Sequence, residues 1–187
     1  MALQVREDVS VKYRDFYKLV GGACDGALVL ENITDDDAAA ITDFTATKII
    51  LKNSPLLTKL DFLSAFKCLE EISLIKCKKL TKLWDLSENN SLHSLAITAC
   101  VKLCDIEALR YGGDLEHFFF DNVWGFKKMK SFVPLKAHTG LKTLDLACKA
   151  ERDAGKIDFN AAWPSLESFT ISPVLKKNFI TAAEVRH

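Results

Sequence analysis

The feature that most constrains this chain is an apolar spacing that returns along almost its whole length. Between positions 92 and 103 it places Leu92, Leu95, Ile97, Cys100 and Leu103, and directly upstream Leu69, Ile72, Leu74, Cys77 and Leu80 hold the same offsets. The central part, x-x-x-L-x-L, starts seven times, at positions 25, 46, 69, 92, 115, 141 and 166, with spacings of 21, 23, 23, 23, 26 and 25 residues. Its apolar pairs are Leu28/Leu30, Ile49/Leu51, Ile72/Leu74, Leu95/Ile97, Phe118/Phe120, Leu144/Leu146 and Phe169/Ile171. Alternation over so few residues predicts a short strand with one buried face. A single copy cannot bury its own apolar residues, so each must stack on its neighbours.

With these residues the chain resembles the leucine-rich repeat family, whose repeat runs L-x-x-L-x-L-x-x-N/C-x-L over about 20–29 residues. The resemblance spans residues 25–173 and is fullest in the copies at Leu69 and Leu92, where Cys77 and Cys100 stand at the N/C position. Elsewhere that position holds Ile33, Ser54, Val123 and Lys149. The resemblance implies an α/β leucine-rich-repeat solenoid: a curved parallel β-sheet on the concave face, with loops and short helices on the convex face. It also implies that Cys77 and Cys100 satisfy backbone groups where the chain leaves the strand.

The expected organisation is an N-terminal cap over residues 1–24, a solenoid of about seven repeats over 25–173 and a C-terminal cap over 174–187. For the first segment two readings stay open: a helix carrying Val11, Phe16, Leu19 and Val20, or a strand from Leu3 to Val11. Thr34 followed by Asp35-Asp36-Asp37 and a run of alanines predicts an N-cap, an acidic first turn and a short helix. Asp61–Phe66 predicts another helical turn, while Glu88-Asn89-Asn90 and Gly112-Gly113-Asp114 read as loops. Pro134 and Pro164 lie between strands, where a missing N–H costs little.

With 187 residues, 49% of them hydrophobic, one domain with a continuous core is expected. The 25 basic and 25 acidic residues cancel, which leaves no net field to draw the chain to nucleic acid or an anionic membrane. Arg6, Glu7 and Asp8 interrupt the amino terminus, and no stretch offers the ~20 apolar residues of a membrane span. A cytoplasmic location is expected. The six cysteines then read as thiols, since a chain this rich in aliphatic residues needs no disulfide framework.

Motifs for chemistry are absent. There is no G-x-S-x-G elbow, phosphate-binding loop, dinucleotide fingerprint or H-E-x-x-H pair, and Gly21–Gly26 lacks the Lys-Ser/Thr that would make it a phosphate loop. Cys100 and Cys104 form one C-x3-C pair, short of the four converging ligands that zinc requires. Neither a metal nor a cofactor is expected, and the chain reads as noncatalytic. The expected function is protein or peptide binding by the concave face, in an adaptor, inhibitor or immunity-type role. Partner-binding candidates are Phe119, His117, Asp121, Ile75, Lys52 and Asp145. Phe119 is either an exposed anchor or shielded by a terminal segment or by a loop such as Val123–Phe126. An enzyme built on His117, Asp121 and Asp145, or a repeat fragment of a larger regulatory or effector protein, are the alternatives. Lysines at 76, 78, 79, 82, 127, 128 and 130 form a ridge where strands leave the sheet, either solvated or facing an acidic partner.

Overall fold

The computed structural model describes residues 27–41, 46–152, 154–172, 175 and 178–180. The cap expected at 1–24 lies outside these residues, as does most of the one expected at 174–187. Seven strands, β1 (Ala27–Glu31), β2 (Lys48–Lys52), β3 (Glu71–Ile75), β4 (Ser94–Thr98), β5 (His117–Asp121), β6 (Thr143–Ala147) and, after the two-residue strand β7 (Ile157–Asp158), β8 (Ser168–Ile171), make one sheet. Every neighbouring pair is parallel, and the order in space is the order in sequence. Strand β7 pairs separately with β9 (Phe179–Ile180).

The register follows the apolar pairs. Leu74, Ile97, Phe120 and Leu146 stand side by side across β3 to β6, and all four are buried. The second inward row runs Leu28, Ile49, Ile72, Leu95, Phe118 and Leu144, again buried. Each parallel pairing closes one face over the core, because residues two apart along a strand point the same way. In the last strand the inward row reaches Phe169, which is exposed.

The connections return across the far side of the sheet. Thr34 caps the one-turn helix Asp35–Ala39 through a capping box with Asp37. The other returns are 3-10 turns at Asp61–Ala65, Glu107–Arg110 and Val133–Ala137, the one-turn helix Phe159–Ala162 before β8, and parallel bridges at Lys82/Asp105 and Met129/Ala150. Among the described residues no helix is long and apolar enough to cross a membrane.

The expected curved solenoid is not what the chain forms. The structure is a single α/β arrangement with a parallel sheet that is not strongly curled, so it presents no concave face of a curved solenoid. A physical reason lies in the returns. A sheet of strands spaced ~4.8 Å apart is forced to bend when full α-helices ~10 Å wide are stacked behind it. Here the returns are mostly 3-10 turns and bridged extended segments, which occupy about the same width as the strands in front. Both layers advance by similar steps, and nothing drives strong curvature.

A second correction concerns the position after each strand. Strands β1 to β4 are each followed by a residue in the left-handed region, Asn32, Asn53, Lys76 and Ala99, with φ between 49° and 56°. The next buried position is then filled by Ile33, Ser54, Cys77 and Cys100. No such left-handed step follows β5 or β6, and the buried residues there are Asn122 and Cys148, with Val123 and Lys149 exposed. The Cys77 thiol donates to the Leu51 and Ile75 carbonyls, and that of Cys100 to those of Leu74 and Thr98, at 3.6–3.8 Å. Asn122 serves the same purpose with an amide, donating to the Cys100 carbonyl at 3.0 Å.

Buried His138 ties two of the returns together. The Leu115 N–H donates to its Nδ1 at 3.1 Å, so the neutral ring carries its proton on Nε2. Burial pushes its pKa below the usual histidine range, against the opposing pull of Asp114. The unfolded chain therefore takes up this proton first as the pH falls, and stability is lost on acidification through the ordinary histidine range. The urea midpoint is expected to drop between about pH 7.5 and 5.5 and to drop less in His138→Gln, measured by equilibrium unfolding.

Candidate functional site

The outward residues of the strands make the open face of the sheet. In register, one row runs Glu71, Ser94, His117, Thr143 and Ser168, the next Ser73, Ala96, Phe119, Asp145 and Thr170, and the third Ile75, Thr98, Asp121 and Ala147. A hollow of about 260 Å³ opens over β4 to β8, lined among others by Ser94, His117, Phe119, Thr143, Asp145 and Thr170. Hydroxyls supply most of its polar groups. Phe119 is its one exposed aromatic wall.

Three of the six candidate residues, His117, Phe119 and Asp145, line this hollow, and a fourth, Asp121, lies beside it. Phe119 and Asp145 are direct neighbours on β5 and β6, His117 is two residues before Phe119, and Asp121 two residues after it on the same face. Ile75 and Lys52 do not join them. Ile75 lies on β3, two strands from β5, roughly 10 Å away at the ordinary strand spacing. Lys52 is a strand further off and is engaged by Glu31 at 3.5 Å. The loop after β5 does not cover Phe119, which is 37% exposed. Trp124 and Phe126 in that loop are 85% and 80% exposed.

Charge on this face is matched nearly everywhere by a lysine one strand over. Lys48 binds Glu71 at 2.8 Å, Lys52 binds Glu31, and Lys142 binds Glu116 at 2.7 Å. The hydrogen bonds from Lys48 and Lys142 hold Glu71 and Glu116 below the usual glutamate range. Asp145 and Asp121 depart from this pattern: among the described residues neither has an ion pair. The Asp121 carboxylate accepts only a long bond, from the Val123 N–H at 3.5 Å. Burial first, and then the Asp121 carboxylate, raises the pKa of Asp145 above the usual aspartate range.

His117 is oriented by a hydroxyl rather than by a carboxylate of the hollow: its Nδ1 lies 2.8 Å from Thr143 Oγ1. Its Nε2 is 3.9 Å from Glu116, outside hydrogen-bond range. The trio His117, Asp121 and Asp145 thus lacks the base–orienter bond that acid–base catalysis uses. Among the described residues no group of three or more His, Cys, Asp or Glu converges as a metal site would require. Buried Cys148, whose thiol burial pushes up to about 12, is poorly suited to act as a thiolate nucleophile.

No protein-family model, curated protein or solved structure matches this chain. Membership of the leucine-rich repeat family is therefore not supported, and neither is partner binding by a concave repeat face, which required a curvature the sheet lacks. The uncompensated Asp145–Asp121 pair was not visible in the spacing pattern, since every strand has outward residues and only the cross-strand register tells which have a lysine beside them.

Proposed function

We propose that this chain is a noncatalytic binding protein whose open sheet face takes a positively charged organic group of the guanidinium or ammonium type. The supporting observation is the placement of Asp145 beside Phe119, with Asp121 on the same face and no lysine or arginine among the described residues to neutralise either carboxylate. A cation over the Phe119 ring gains from the π face, and the same cation relieves the mutual repulsion of the carboxylates. His117, Ser94 and Thr143 contribute hydrogen-bonding atoms at the rim of the hollow. Ile75 and Lys52 lie outside the group and are assigned no direct role. The carrier of the charge is a basic side chain of a protein or peptide, or a free small molecule, and the test separates the two.

Titration of the 15N-labelled chain with argininamide is expected to shift the amides of Phe119 and Asp145 saturably, with citrulline amide, which is neutral, as the control. Asp145→Asn should weaken the interaction by about tenfold or more, in line with the loss of a charge-assisted contact. Affinity should also fall as the pH drops through the raised pKa of Asp145, because only the ionised carboxyl attracts the cation. A short arginine-containing peptide that binds more tightly than argininamide identifies a polypeptide carrier. Equal shifts with citrulline amide, or no saturable shift with any of the cations, would remove the proposal.

A further inference from the structure

The neutral total charge conceals a separation along the strand direction over β3 to β6. At the carboxyl ends of the strands, the loops carry Lys76, Lys78 and Lys79 after β3, Lys102 after β4, Lys127 and Lys128 after β5, and Lys149 after β6, all exposed. None of these lysines has a carboxylate partner among the described residues. Towards the amino ends, Lys48, Lys67 and Lys142 are each bonded to a glutamate, Glu71, Glu88 and Glu116. The acids among these loops, Asp121, Glu151 and Asp105, the last paired with Lys130 at 2.8 Å, are outnumbered, while Glu31 ends β1 and Asp35–Asp37 follow it at the other edge of the sheet.

The loops that carry these lysines are stitched into one rim by backbone hydrogen bonds. Lys76 N–H donates to the Thr98 carbonyl, Ala99 N–H to that of Asp121, Asn122 N–H to that of Ala147, and Phe126 N–H to that of Val101, all at 2.7–2.9 Å. In the same rim Trp124 and Phe126 protrude, 85% and 80% exposed, with the half-exposed Val123 beside them. An apolar patch that protrudes from a ring of free lysines has lost water on neither count.

We propose that this rim docks peripherally on an anionic lipid surface, with Trp124 and Phe126 seated at headgroup depth and the lysines over the lipid charges. Indole and phenyl rings favour that interfacial layer, and clustered lysines concentrate a protein at a negative bilayer within a Debye length of it. Rings this exposed on a loop suit a deformable, planar partner. An acidic protein would instead need a cleft shaped to receive both rings. Such adsorption needs no membrane-crossing helix, and it is independent of the cation site on the sheet face.

The three tryptophans make the test specific, because Trp84 and Trp163 are buried and only Trp124 reports on the rim. The full chain is mixed with vesicles of phosphatidylcholine alone or of phosphatidylcholine with phosphatidylserine, and both sedimentation and tryptophan emission are followed. The expected result is co-sedimentation with the anionic vesicles only, a blue shift on binding, and release at high salt. Trp124→Ala/Phe126→Ala and, separately, Lys127→Glu/Lys128→Glu should each reduce binding by about tenfold or more while leaving the fold intact. The proposal is overturned by absence of binding, by binding without a change in Trp124 emission, or by equally tight binding to a short DNA duplex or to polyglutamate.

Discussion

Asn89→Leu is expected to destabilise the protein by about 4 kcal/mol, although the two side chains are close in size. Asn89 is fully buried and uses its amide on both sides: Nδ2 donates to the Leu63 and Phe66 carbonyls at 3.1 and 2.9 Å, and Oδ1 accepts from the Trp84 indole N–H at 2.8 Å. Leucine would leave the Trp84 indole N–H without an acceptor, and the Leu63 and Phe66 carbonyls with only their backbone bonds from Phe66 and Leu69 N–H, in a region closed to water. The unpaired indole costs roughly 1–3 kcal/mol and each lost carbonyl bond about 0.5–1.5 kcal/mol, so the total exceeds any gain from a more apolar side chain. Equilibrium urea unfolding measures it directly. A change below about 1 kcal/mol would mean that solvent reaches this site and replaces the amide.

Phe120→Ala is expected to cost about 3–5 kcal/mol, the range for emptying a buried aromatic site. Phe120 stands in register between Ile97 and Leu146 and stacks on Phe118, ring centroids 6.3 Å apart and planes within 25°. The loss falls in the middle of the sheet, so the cavity has strands on both sides that cannot collapse without moving the register. If β1 to β8 form one cooperative unit, the urea midpoint falls and the slope is unchanged. A second transition, or a smaller slope, would show that the strands on either side of β5 unfold separately.

The strand positions and the two inward rows were legible because alternation at a regular spacing is itself the physical cause of a half-buried strand. The exits from the strands were less so. Whether a left-handed step occurs decides which of two adjacent residues is buried, and at Lys76 and Ala99 it is taken by residues that carry no mark of it. Hence Asn122 and Cys148, not Val123 and Lys149, turn inward after β5 and β6. The same one-residue difference leaves Val123, Trp124 and Phe126 outside. Asn89 was readable only as a loop residue, since its partners Leu63 and Phe66 sit in the preceding connection.

The curved solenoid was inferred from a resemblance, and the width of the returns, which governs curvature, is not encoded in the strand spacing. Of the candidate site, His117, Phe119, Asp121 and Asp145 were placed together by the pattern, while Lys52 and Ile75 belong to a different part of the face. The reason is distance along the sheet: a common outward orientation says nothing about how many strands intervene. Charge matching was hidden in the same way, because a total of zero describes the sum and not the arrangement.

The placement of Phe119 on the open face between Ala96 and Asp145 carries both the sheet register and the cation site, and nuclear Overhauser contacts test it most directly. Backbone contacts linking Ala96 to Phe119 and Phe119 to Asp145, with the Phe118 and Phe120 rings in contact with the aliphatic core, are the expected result. Contacts that place Phe118 or Phe120 on the open face, or that pair β5 with any strands other than β4 and β6, would contradict it.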